Sequence, residues 1–88
     1  MKESFTYKIT GKRDHDTALA LLAHEAAKYE CSISVAKPGS SPKSAKSLML
    51  LITGCFKQGD TVEFTFDGSD ANVAAQNIKS ALEDPIGL

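Results

Sequence analysis

The sequence predicts an α+β fold: an open-faced sandwich in which a four-stranded antiparallel sheet is covered on one face by three helices. Two observations predict it. Three stretches alternate apolar and polar residues, so each is a strand with one dry and one wet face, the pattern of an antiparallel sheet open to water on one side. Between and after them the apolar period lengthens to that of a helix, and those helices must bury their stripes against the apolar side of the sheet. The element order is β-α-β-β-α-β-α.

The first strand is "SFTYKIT", where Phe5, Tyr7 and Ile9 alternate with Ser4, Thr6 and Lys8. "GKRD" stops it with a glycine and charges. A helix follows over Thr17 to Lys28, with Leu19, Leu22, Ala23 and Ala26 on one face and Leu21 widening it. Asp14, His15 or Asp16 supplies its cap, and aspartate is the better capping residue. "CSISVAK" alternates again, with Ile33 and Val35 inward. "PGSSP" is a turn, and Pro42 limits pairing after it, so "KSAK" is at most a short strand. "SLMLLIT" is a compact apolar run with Ser47 as N-cap and Gly54 as stop; its length suits a two-turn helix, although periodicity alone leaves a strand open. "TVEFTF" is the clearest strand, with Val62, Phe64 and Phe66 on one face. Ser69 or Asp70 caps the last helix, whose stripe is Ala74, Ile78, Ala81 and Leu82, and "DP" ends it.

At 88 residues, 42% of them apolar, the chain fits one domain, residues 1–88, with a small core. Ten Lys+Arg against eleven Asp+Glu give a net charge of −1, which argues against broad nucleic-acid binding. No run approaches a membrane span, and "MKESFTYKIT" lacks the apolar core of a secretory peptide, so a cytoplasmic chain is expected. Its starting methionine and loose "DPIGL" tail point to a complete one. Cys31 and Cys55 show no metal spacing and are expected to be reduced thiols packing like small apolar residues. His24 lies in mid-helix with no second ligand at metal spacing and is expected on the surface. No metal or cofactor is implied, and no nucleophile–base pair of an enzyme is visible.

The second half, "PKSAKSLMLLITGCFKQGDTVEFTFDGSD", resembles that of HPr, the histidine-containing phosphocarrier family of the bacterial phosphotransferase system. "SAKSLM" (Ser44 to Met49), "QGDTV" and "DGSD" carry the likeness, which extends over essentially the whole chain with one extra residue before "SAKS". The resemblance implies that His15 is the phosphoryl acceptor, since it falls on the histidine of the family's G-L-H-T-R-P-A motif. It also implies that Ser47 is a regulatory phosphorylation site. The motif departs around the histidine: Asp14, Asp16, Thr17 and Ala18 stand where leucine, threonine, arginine and proline are usual.

Phosphoryl carriage needs a neutral ring nitrogen free to attack and donors for three phosphate oxygens. Helix N–H groups supply donors, but Thr17 cannot replace the charge-assisted bonds of an arginine. Lys12 and Arg13 precede the histidine and could reach back. Asp14 and Asp16 oppose phosphate, each by about 1 kcal/mol even in water, and charge placed in a docking patch excludes the usual partners. Taken as residues alone, "DHDT" reads as a solvated capping turn in which His15 does no chemistry; the positional match to the family is what makes it a candidate acceptor.

Ser47 likewise reads as a simple N-cap or as a phosphorylation site. A phosphate there is tolerated by the helix start yet adds nearly two negative charges to a surface. Lys46 could hold that phosphate. Met49 and Leu50 cannot both be buried with Leu48, Leu51 and Ile52, so an apolar patch is expected beside Ser47. Two functions remain from the sequence. One is a phosphocarrier, a substrate of its kinases rather than an enzyme, that accepts phosphate at His15 from a phosphoenolpyruvate-dependent kinase and passes it to sugar-specific transport components. A serine kinase and a transcriptional regulator are its further implied partners, and it enters no membrane. The other is a regulatory binding module of the same fold with His15 inactive, controlled through Ser47 or by binding alone.

Overall fold

A computed structural model describes residues 1–88 as four strands and three helices: β1 (Lys2–Lys8), α1 (His15–Ala26), β2 (Ser32–Ala36), β3 (Lys43–Ser44), α2 (Leu48–Thr53), β4 (Thr61–Asp67) and α3 (Ala71–Glu83). The sheet order is β1-β4-β2-β3 and every pair is antiparallel. Phe5 faces Phe64 across β1 and β4, and Val35 faces Phe64 from β2. The register therefore sets Phe64 at the middle of the apolar face. Val62, Phe64, Phe66, Ile33 and Val35 are buried, as their alternation predicts. Phe5 and Tyr7 are only half-buried, because β1 is an edge strand. The helices close over this face through Leu19 and Leu22 of α1, Leu51 of α2, and Ala74, Ile78 and Leu82 of α3.

Four local expectations differ from the structure. First, α1 begins at His15 rather than Thr17, since Asp14 takes the cap and its carboxylate accepts from the Thr17 N–H at 3.3 Å. Second, Asp70 stands at the N-cap of α3 but makes no side-chain cap there. Its carboxylate turns to the connection between α1 and β2, accepting the Glu30 N–H at 3.0 Å and the Cys31 N–H at 2.9 Å. Two amides of a turn that packs on the core outcompete the helix start. Next to this turn, Gly68 has φ +152, and a Cβ there would lie 2.8 Å from the Cys31 Cα, so only glycine fits.

Third, the tail is not loose. Ile86 and Leu88 are buried, the Ile86 N–H donates to Ala81 O at 2.9 Å, and the Leu88 N–H donates to Leu82 O at 3.0 Å. The Leu88 oxygen in turn accepts from the N–H groups of Thr10 (2.8 Å) and Gly11 (2.9 Å). After Pro85 ends the helical path, two apolar residues spaced by two fold back into the core. Fourth, Cys31 is buried as expected but Cys55 is exposed, in a left-handed turn at φ +57. Burial first, and the Asp70 carboxylate second, push the Cys31 thiol up to about 11.

The Asp70 clamp has a consequence for acid stability. The Glu30 N–H above all, with the Cys31 thiol and N–H, holds this carboxyl below its ordinary value. A depressed folded-state value gives stability that is fully present above the unfolded value, near 3.9, and is lost as pH falls through the folded one. Asp70→Asn is therefore expected to melt below the wild type at pH 7, with the gap in Tm closing as pH falls below about 4. Calorimetric melts of the two proteins across this range check it; a gap that does not change with pH contradicts the clamp.

Candidate functional site

The approach to α1 is fixed by the tail. Besides the two bonds to Leu88, the Arg13 N–H donates to Gly87 O at 3.0 Å and the Arg13 Nε to Pro85 O at 3.1 Å. Gly87 sits at φ +69, and a Cβ there would come 2.9 Å from the Arg13 Cβ. The strand-to-helix connection and the chain's last residues thus hold one another, and they set where α1 starts.

His15 is the first residue of α1 and is half-buried. The first backbone bond of the helix start runs from the Ala18 N–H to Asp14 O. The N–H groups of His15 and Asp16 have no protein acceptor, while that of Thr17 is taken by Asp14 Oδ2. The same carboxylate oxygen accepts the Thr17 hydroxyl at 3.2 Å. Asp16 is exposed and makes no ion pair. His15 borders a hollow of about 280 Å³ walled by Ile9, Gly11, Arg13, Phe56, Lys57, Gln58 and Leu88.

Of the two cations that precede the histidine, Arg13 reaches this hollow and Lys12 does not. Lys12 instead borders a neighbouring one with Glu83, Asp84 and Pro85. The residue that sequence reasoning missed is Lys57. It lies 42 positions from His15, and nothing in "GCFKQGD" marks a cation as facing another helix. The Asp60 carboxylate accepts its N–H at 3.1 Å and so shapes the turn that brings Lys57 there. Arg13 and Lys57 thus border the hollow that His15 borders, and no arginine stands in the first turn of the helix.

A second cluster lies on α2. Ser47 Oγ accepts the Leu50 N–H at 3.3 Å, so the serine is a true N-cap. Leu51 is fully buried, while Leu48, Met49 (75%), Leu50 and Ile52 (51%) are exposed. The expected patch is therefore present and larger than two residues, because a six-residue helix has one inward position. Lys46 is not free beside Ser47: its Nζ donates to Tyr29 O at 2.6 Å. The α1 and α2 helices pack on each other, and Phe56 to Gln58, just beyond α2, wall the His15 hollow. His24 is exposed, in the last turn of α1. No helix is long and apolar enough to cross a membrane, and no three His, Cys, Asp or Glu side chains gather as a metal site.

The family model described as "PTS HPr component phosphorylation site" matches residues 4–84. The chain belongs to the HPr family. The HPr fold is seen equally in solved structures. The histidine-containing phosphocarrier protein of a Mycoplasma is 29% identical, with a TM-score of 0.88 over 98% of both chains. HPr-C-His from Thermoanaerobacter tengcongensis is 26% identical, with a TM-score of 0.87 over 98% of this chain and 97% of that one. HPr from Bacillus anthracis, 23% identical over 90% and 94% of the two chains, shares the fold at a TM-score of 0.77. A sequence search of curated proteins gives no significant match. The expected α+β fold and the expected family both hold, and HPr-family proteins are phosphocarriers of the phosphotransferase system.

Proposed function

We propose that this HPr-family chain carries a phosphoryl group on His15 between a phosphoenolpyruvate-dependent kinase and a sugar-specific transport component, and that phosphorylation of Ser47 regulates the exchange. The observation that supports it is the setting of His15: the first residue of a helix, beside unpaired N–H groups, on a hollow that Arg13 and Lys57 border. In the transfer, the lone pair of a neutral ring nitrogen forms the N–P bond while the donor's bond to phosphorus breaks with its electron pair. The phosphoryl oxygens then meet the N–H groups of His15 and Asp16 and the two cations. A phosphate on Ser47 would carry close to two negative charges beside Met49 and Leu50, on a surface that is now apolar.

Incubation with labelled phosphoenolpyruvate and the system's first kinase from the same source tests this reading. Acid-labile label is expected on the wild type and none on His15→Ala. Treatment with ATP and the family's serine kinase, read by mass spectrometry, is expected to modify Ser47. Absence of label on the wild type would favour the second reading, a binding module with an inert histidine. That reading has one observation behind it, the Asp14 carboxylate already seated on the Thr17 N–H.

A further inference from the structure

The helix start offers three N–H groups, and one of them is occupied by a carboxylate of the chain itself. Asp14 Oδ2 holds both the N–H (3.3 Å) and the hydroxyl (3.2 Å) of Thr17, two residues past the acceptor histidine. Thr17 also stands where the family motif would supply an arginine, so these two donors are what the position can offer a phosphoryl oxygen. Asp14 claims both.

We propose that Asp14 is a displaceable occupant of the phosphoryl subsite and sets the transfer potential of the phosphohistidine; this rests on the reading of His15 as acceptor. In the unmodified protein the carboxylate caps the helix. When the His15 ring nitrogen forms its N–P bond, the incoming dianionic group and the carboxylate compete for the Thr17 donors. Either Asp14 keeps them and the phosphoryl group is short of donors, or it yields them and stands as an unpaired like charge beside phosphate. Both arrangements raise the free energy of the phosphorylated form relative to the free one. Asp14 thereby makes His15 a poor store and a strong donor of phosphate. Asp16 contributes only unpaired charge, since its carboxylate has no contact with the helix donors.

Phosphoramidate tests this without any partner protein. It transfers phosphate directly to an imidazole nitrogen: its P–N bond breaks, ammonia leaves, and the ring loses one proton. Wild type, Asp14→Asn, Asp14→Gly, Asp16→Asn and His15→Ala are labelled, and the half-life of the phosphohistidine is followed by phosphorus NMR at neutral pH. Asparagine caps a helix about as well as aspartate, and glycine costs only a few tenths of a kcal/mol, so the folds survive. Asp14→Gly, which frees both Thr17 donors, is expected to lengthen the half-life about tenfold; Asp14→Asn, whose amide oxygen still accepts from Thr17 but carries no charge, is expected to lengthen it less, and Asp16→Asn less than threefold. In the wild type the Thr17 amide resonance is expected to shift on phosphorylation as its acceptor changes. Equal effects of Asp14→Gly and Asp16→Asn would reduce Asp14 to a bulk charge and overturn the proposal, as would unchanged half-lives. No phosphohistidine at His15 in any variant would overturn the carrier reading along with it.

Discussion

Phe64→Ala is expected to leave a large fraction of the chain unfolded in water at 25 °C. Phe64 has no exposed surface and lies on β4 between the two strands that pair with it. Its ring stacks on Phe5 at 5.3 Å between centroids with an interplanar angle of 21°, and Phe5 also stacks on Phe66 at 5.6 Å. Truncating a buried phenylalanine costs about 3–5 kcal/mol, from lost transfer free energy and from the cavity that remains. A domain of 88 residues lies towards the lower part of the usual range of about 5–15 kcal/mol, so one such change removes most of its stability. Phe5→Ala strips the same stack from its half-buried side and is expected to cost less than half as much. Urea unfolding followed by circular dichroism measures both. Equal losses at the two positions would mean that the core is not centred on β4.

How much of this was legible in the sequence depends on the distance over which each force acts. Strand alternation and helical stripes are local, and Val62, Phe64, Phe66, Leu19, Leu22, Ile78 and Leu82 are all buried as the pattern requires. The Ser47 cap is a contact between residues three apart, so it too could be read. Asp70 could not, because its partners Glu30 and Cys31 are some 40 positions away, and the local rule assigned its carboxylate to the helix that it precedes. The same limit hid the tail, whose apolar residues are recognisable but whose last carbonyl accepts from donors 78 residues back, at Thr10. Lys57 joins the His15 hollow for the same kind of reason. Around the histidine, "DHDT" shows the two aspartates and Arg13 is close in sequence, whereas Lys57 borders the same hollow from 42 positions away.

Met49→Glu separates carriage from docking and is expected to produce the larger functional defect. Met49 is 75% exposed at the first turn of α2, beside the Ser47 cap, with Leu48, Leu50 and Ile52 exposed around it. Four large apolar side chains on one short helix form a surface that water solvates poorly and a partner covers well. Methionine suits it, because its flexible thioether adapts to more than one facing surface. The side chain contributes nothing to the core, which α2 enters through Leu51 alone, so the melting temperature should stay within about 2 °C of the wild type. A buried carboxylate at a docking centre is costly for lack of a counter-charge, and loss of such an anchor is worth 2 kcal/mol or more, about thirtyfold in affinity. Transfer from the kinase should therefore slow by at least tenfold through KM, while direct labelling of His15 by phosphoramidate is unchanged. Phosphorylation of Ser47 places comparable charge on the same surface and should reproduce the defect in the otherwise native chain. Wild-type transfer rates in Met49→Glu would sink the docking role of α2, and a parallel loss of direct labelling would show that the substitution had reached the histidine instead.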